Sequence, residues 1–278
     1  MGAISDREAF ARLVAALGPY LDDLVFIGGW AHRLFSLHEF ANRIDFEPLA
    51  TDDADLAAPL RLPVRVKTIA QRLKAAGFEE ELRGEDTPPI SEYHLGEEGA
   101  GLYVEFLAPL IGGPTTRKGK PRDTTLVAGV TAQTLRYLEL LLEEPWSVRL
   151  SARLGFPIGA EGVQIRIPNP ASFIAQKLLV LECRAPEKQA KDLLYIHDTL
   201  RLFSEQLGAL RASWALAQRK QHPNVSRRLR ERTQARFGAV DDLVRAAAQI
   251  AAKTGRPSPP TSERFAALCR AGTCAIFE

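Results

Sequence analysis

Asp53 and Asp55, one residue apart in TDDADL, are side chains of the type that grips divalent cations, and Glu105 in LYVEFL is a third acid of that kind. On a strand, alternate side chains share a face, so Asp53 and Asp55 project together while Asp52 points away. Two adjacent carboxylates repel unless a cation sits between them. Magnesium suits such a pair, because it is bound by one or two carboxylates together with phosphates and waters. Taken alone, Asp-x-Asp is a weak signal that more often describes a solvated surface pair. Glu105 adds weight: Leu102, Val104 and Phe106 fall on one face of its strand, and Tyr103, Glu105 and Leu107 on the other. A carboxylate flanked by apolar and aromatic groups needs a partner, a cation or a buried salt bridge.

Gly28-Gly29 ends the apolar run LVFI and opens a helix. The free N–H groups of a helix start, helped by the helix dipole, form a ready anion site; strand-to-helix turns also use glycine for purely steric reasons. Lys177 lies inside the apolar helix FIAQKLLVLECR, and Arg184 falls on the same stripe two turns later. Cations on an inward stripe require a phosphate or a carboxylate to meet them, unless their stems snorkel to solvent. Neither GxxxxGK[ST] nor GxGxxG occurs, so P-loop and Rossmann phosphate schemes do not apply. The five histidines lack ligand spacing, and no GxSxG segment is present, so covalent catalysis is not indicated.

The segments VFIGGWAHRLF, TDDADL, LYVEFL and FIAQKLLVLECR, in that order, resemble the minimal nucleotidyltransferase superfamily, nearest its AbiE-type toxin branch, over roughly residues 24–200. The resemblance implies an α+β fold with a nucleotidyltransferase-type mixed sheet core, flanking helices and a C-terminal helical bundle. It implies that Gly28 and Gly29 form the phosphate turn, that Asp53 and Asp55 bind Mg2+ (or Mn2+), and that Glu105 completes the metal site and helps deprotonate the acceptor. The K…R…KD pattern of the branch resembles Lys177, Arg184, Lys191 and Asp192, which it implies are nucleotide-binding. The implied activity is transfer of a nucleoside monophosphate from a nucleoside triphosphate to an acceptor hydroxyl, RNA of a tRNA-like kind. A toxin role with an antitoxin protein as partner follows from the same branch. The alternative is a catalytically silent nucleic-acid-binding or regulatory module on the same fold.

The elements that must position these residues can be read from periodicity. Residues 5–17 have helical spacing at Phe10, Leu13, Val14 and Leu17, with Ser5 as N-cap. Residues 24–27 read as a buried strand and 30–40 as a helix. An irregular link at 41–50 leads into the TDDADL strand, and a helix at 67–76 stops at Gly77. Strands follow at 78–82, 91–95 and 101–107, the last two joined by glycine-rich LGEEGAG. GGPTTRKGKPRD at 112–123 reads as an exposed loop, LVAGV as a strand, TAQTLRYLELLLEE as a helix and VQIRIP as a further strand. Helical patterns dominate after Asn169, so the domains expected are a core at 1–168 and a helical domain at 169–278, with a linker at 256–260.

Composition bounds the partners. The 278 residues are 46% hydrophobic and 25% charged with net charge +2, an ordinary globular balance that does not itself demand nucleic acid. Three cysteines, Cys183, Cys269 and Cys274, are too few for a disulfide framework and lack zinc spacing. No secretory pattern opens the chain and no apolar run is long enough for a membrane span, so a cytoplasmic protein without a membrane partner is expected. One stretch, 211–236, is locally basic: Arg211, Arg219, Lys220, Arg227, Arg228, Arg230, Arg232 and Arg236 stand against Glu231 alone. Arg227, Arg228 and Arg230 are its candidate RNA contacts, because a planar guanidinium grips phosphate well; a solvated helical face is the other reading.

Overall fold

The structure, a computed structural model, describes residues 4–49, 51–84, 88–96, 101–116 and 118–278. Most of the turn LGEEGAG lies outside the described residues. The chain divides into two units, Met1–Ala31 with Ala50–Pro168, and His32–Leu49 with Asn169–Glu278. Residues 32–49, expected with the core, belong to the second unit.

The first unit is built on a seven-stranded mixed sheet. Helix α1 (Asp6–Leu17) is capped by Ser5, whose hydroxyl accepts from the Glu8 N–H. Strands β1 (Val25–Ile27), β2 (Asp53–Ala57), β3 (Glu79–Arg83), β4 (Ile90–Leu95) and β5 (Leu102–Pro109) lie in the order β1-β2-β5-β4-β3. Helix α2 (Gly28–Phe35) follows β1, and α3 (Ile69–Ala75) precedes β3 behind a Thr68–Gln71 capping box. Pairing is antiparallel between β1 and β2, parallel between β2 and β5, and antiparallel from β5 through β4 to β3. β6 (Thr124–Val127) and β7 (Val130–Leu135) form a hairpin whose second strand pairs with β5 in parallel. After α4 (Glu139–Leu142), strands β8 (Trp146–Leu150) and β9 (Val163–Ile167) make a separate two-stranded sheet.

The helix expected over 131–144 is therefore mostly strand. Ala128 and Gly129 both have positive φ, 45° and 89°. That is the backbone of a two-residue hairpin turn, which sends 130–135 back along β6. Leu135 and Leu138 mimic helical spacing, but only Glu139–Leu142 is helical. Strand β8 is an element the sequence reading lacks, and α2 ends at Phe35 rather than Phe40.

The second unit is helical: α5 (Pro170–Val180), α6 (Pro186–Leu202), α7 (Leu207–Ala217), α8 (Asn224–Phe237), α9 (Asp242–Lys253) and α10 (Ser262–Phe277). Asn169 caps α5 by accepting from the Ser172 N–H, with Pro170 at the first helical position. Phe35, Phe173 and Phe203 meet edge to face in its core. Residues 32–49 are tied in by the Asn42 N–H donating to the Leu202 carbonyl at 2.7 Å and by Arg201 pairing with Asp45. Among the described residues no helix is long and apolar enough to cross a membrane.

Candidate active site

In the first unit, register brings the three acids and the glycine turn together. Asp55 stands opposite Ile27 of β1 on one side and Glu105 of β5 on the other. Asp53 stands opposite Tyr103. The alternation of side chains puts Asp53, Asp55, Tyr103 and Glu105 on one face of the sheet. Asp53 is exposed, and Asp55 and Glu105 are half-buried.

That face changes character along the strands. Two residues further on, Ala57 and Leu107 join Val25, Ile27, Leu138 and Leu141 in a buried apolar cluster beside α4. The opposite face, with Ala54, Leu56, Val104 and Phe106, is core throughout. Asp53, Asp55 and Glu105 thus occupy a stretch of sheet face where burial is incomplete, which is where charged groups cost less.

Gly28 and Gly29 are dictated by crowding. Gly28 has φ +63°, and a Cβ there would lie 2.0 Å from Oδ2 of Asp55. A Cβ at Gly29 would lie 2.6 Å from Cγ2 of Thr51. Both positions therefore exclude any side chain, and the turn closes directly onto the β2 carboxylate. The first N–H groups of α2 have no partner within the helix itself.

The carboxylate row continues on β4 and β3. Glu105 faces Glu92, and Glu92 faces Glu81. Glu92 is only 3% exposed; its Oε2 lies 3.2 Å from Arg83 Nη1, while its buried Oε1 has no hydrogen-bond partner among the described residues. The sequence reading missed Glu92. The signal was its place in SEYHL, alternating with buried Ser91 and Tyr93, but only the pairing with β5 shows which acid it joins.

The chemistry of the donors fits a magnesium ion. Asp53, Asp55 and Glu105 supply hard carboxylate oxygens on one face, and this ion needs only one or two of them when phosphates and waters complete its shell. Among the described residues no group of three or more His, Cys, Asp and Glu side chains is placed to hold a metal ion by itself.

In the second unit, Lys177 and Asp192 meet as a buried ion pair, 8% and 3% exposed in their side chains. Arg184 approaches the other carboxylate oxygen at 2.9 Å. The Lys177 ammonium also sits over the rings of Phe173 and Tyr195, 4.9 and 4.7 Å from their centroids, and Lys191 stands 5.6 Å from Tyr195. The anion that Lys177 demands is thus supplied within the chain by Asp192, whose role here is to hold two cations. Beside this group His32 is fully buried, and neither ring nitrogen finds a hydrogen-bond partner among the described residues. Burial lowers its pKa to about 4, opposed by Asp198 and reinforced by Lys177, Arg256 and Lys191. Asp198 is held below the usual carboxylate range: its own burial would raise it, but hydrogen bonds from Arg256 and His197 prevail.

Arg227, Arg228 and Arg230 are exposed on α8, with Arg227 paired to Glu231 at 2.9 Å. Arg232 and Arg236 are used internally. Arg232 donates to the Leu178 and Leu179 carbonyls near the C-terminal end of α5, and Arg236 pairs with Asp241.

In the first unit a strand-to-helix glycine turn thus closes on paired carboxylates, with a third acid on the neighbouring strand. A family model described as Nucleotidyltransferase matches residues 6–220. That match covers most of the chain, and the chain belongs to this nucleotidyltransferase family. No curated protein matches the chain.

Proposed function

We propose that the chain transfers a nucleoside monophosphate from a nucleoside triphosphate to an RNA hydroxyl in the presence of magnesium. The observation that supports this reading is the close approach of the Gly28 backbone to the Asp55 carboxylate. In this reading the glycine turn binds phosphate through its backbone N–H groups. Asp53 and Asp55 hold the divalent cation, with Glu105 beside them. A cation bound there would supply neutralisation of phosphate charge. Glu105 takes the proton of the attacking hydroxyl as its oxygen bonds the α-phosphorus, the bond between the α- and β-phosphates breaks and pyrophosphate leaves; positioning supplies most of the acceleration. The contribution of Lys177, Arg184 and Lys191 to nucleotide binding rests on the resemblance alone, because Asp192 already meets the Lys177 charge. Asp192 acts in it by orienting Lys177 and Arg184. Arg227, Arg228 and Arg230 bind the RNA backbone.

The test is incubation of the chain with each α-labelled nucleoside triphosphate, magnesium and total RNA. Label on RNA is expected with the native chain and is lost with Asp53→Asn. Label on protein redirects the acceptor, and no label on either leaves a silent binding module. On the same reading the protein is a toxin restrained by an antitoxin. Expression of the native chain then arrests growth, expression of Asp53→Asn does not, and growth unaffected by the native chain removes that role.

A further inference from the structure

We propose that Tyr103 and His94 form a stacking platform for a nucleobase beside the carboxylates, a proposal that rests on the transferase reading above. The register places Asp53, Tyr103 and His94 in one cross-strand row over β2, β5 and β4. Paired residues share a face, so both rings lie on the face that carries Asp55 and Glu105. Both are half-buried, with ring centroids 6.3 Å apart and planes inclined by 41°.

Neither ring belongs to the fully buried core. On the opposite face the neighbouring residues Tyr93 and Phe106 are fully buried and pack edge to face at 6.2 Å. His94 and Tyr103 stand where the sheet face is only partly covered, among carboxylates. Those carboxylates repel a polyanion, whereas an aromatic face attracts any base without a charge penalty. The spacing suits a nucleotide as well. Adjacent strands lie about 4.8 Å apart, so Tyr103 is one strand and His94 two strands across from Asp53. A nucleotide with its phosphate beside Asp53 and its sugar laid across the strands carries its base onto these rings. The base comes from the triphosphate or from the RNA acceptor, and the two sources are separable.

The experiment measures binding of three probes to the full chain with magnesium present. They are a nucleoside triphosphate, inorganic tripolyphosphate, and a labelled single-stranded RNA oligonucleotide. Tyr103→Leu is expected to weaken either the nucleoside triphosphate or the RNA by about tenfold, the loss of one base–aromatic stack. Tripolyphosphate, which has no base, keeps its affinity, and Tyr103→Phe restores the affected probe. Loss confined to the triphosphate assigns the donor base, and loss confined to RNA assigns the acceptor base. Where Tyr103→Leu fails to fold, His94→Gln is read in the same three arms. Unchanged affinity for all probes, or equal weakening that includes tripolyphosphate, overturns the platform. A native chain that binds no probe removes the transferase reading as well, and that failure shows before any substitution is made.

Discussion

The backbone of Gly28 and the carboxylate of Asp55 are in direct apposition, with no room between them for a methyl group. Gly28→Ala adds that methyl to a residue at φ +63°, so it meets both a clash and a left-handed backbone. We expect a loss of about 2 kcal/mol in stability and of transfer activity, read by denaturant unfolding and by labelling. Gly208→Ala in α7 is the control, since nothing lies within 4 Å of its Cβ. It should gain about 0.5–1 kcal/mol and leave activity alone. A Gly28→Ala chain as stable and active as the native one would remove the steric argument for the turn.

Asp53→Asn removes charge from an exposed position within a row of acids. Transfer should fall by at least about a hundredfold while the melting temperature holds or rises, because like-charge repulsion is relieved. Substantial residual turnover would refute Asp53 as a cation ligand.

Lys177 and Asp192 can be separated by comparing the two truncations. Each leaves a buried charge with fewer partners, and each should cost about 3 kcal/mol in stability. Asp192→Ala retains the ammonium but removes the carboxylate that orients it, so it should weaken nucleotide affinity by less than Lys177→Ala does. Lys177→Ala should weaken that affinity by about 2 kcal/mol. Equal calorimetric affinities for Lys177→Ala and the native chain would make the lysine structural.

His32 makes stability acid-sensitive. Its pKa is about 4 when folded and near 6.5 when unfolded, so between these values the unfolded state binds the proton first. Stability attached to His32 is complete above about pH 6.5. It is lost as pH falls towards 4, by about 3 kcal/mol in all. Urea unfolding at a series of pH values should show this slope, and His32→Leu should flatten it. The charged groups facing the ring are Asp198, Lys177, Lys191 and Arg256, with the Tyr195 ring 4.6 Å away. Asp198 contributes its own loss at lower pH, which His32→Leu leaves in place.

The arginines of α8 should divide by what they touch. Arg232→Ala removes the donor to two α5 carbonyls and should cost about 1–2 kcal/mol. Replacing Arg227, Arg228 and Arg230 together should change stability by less than about 1 kcal/mol. The same triple change should flatten the log–log salt slope of RNA affinity from about −3. Affinity insensitive to salt and to these changes would remove RNA as the partner of this face.

Much of the site was legible because it rests on local rules. Asp53 and Asp55 alternate on a strand, the glycines follow an apolar run, and Lys177 sits inside an apolar helix. What was not legible depends on pairing. That Asp192, fifteen residues on, answers Lys177 is decided by how α6 packs against α5. That Glu92 extends the acid row is decided by β4 lying between β5 and β3. The misread helix at 131–144 has a similar cause. Ala-Gly lacks the asparagine or aspartate that usually marks a positive-φ hairpin turn, so LVAGV reads as one strand instead of two meeting at a corner.

The split composition of the helical unit constrains how the protein can be made and cut. Residues 32–49 emerge early in synthesis, yet Leu202, Arg201 and Arg256, which hold Asn42, Asp45 and Phe46, are translated more than 150 residues later. During translation that early segment lacks these partners until α6 and then the stretch at Arg256 have been made. A gene fragment ending at residue 168 would strand it permanently. An isolated first unit would therefore need more than a C-terminal stop, because its boundary with 32–49 falls inside α2.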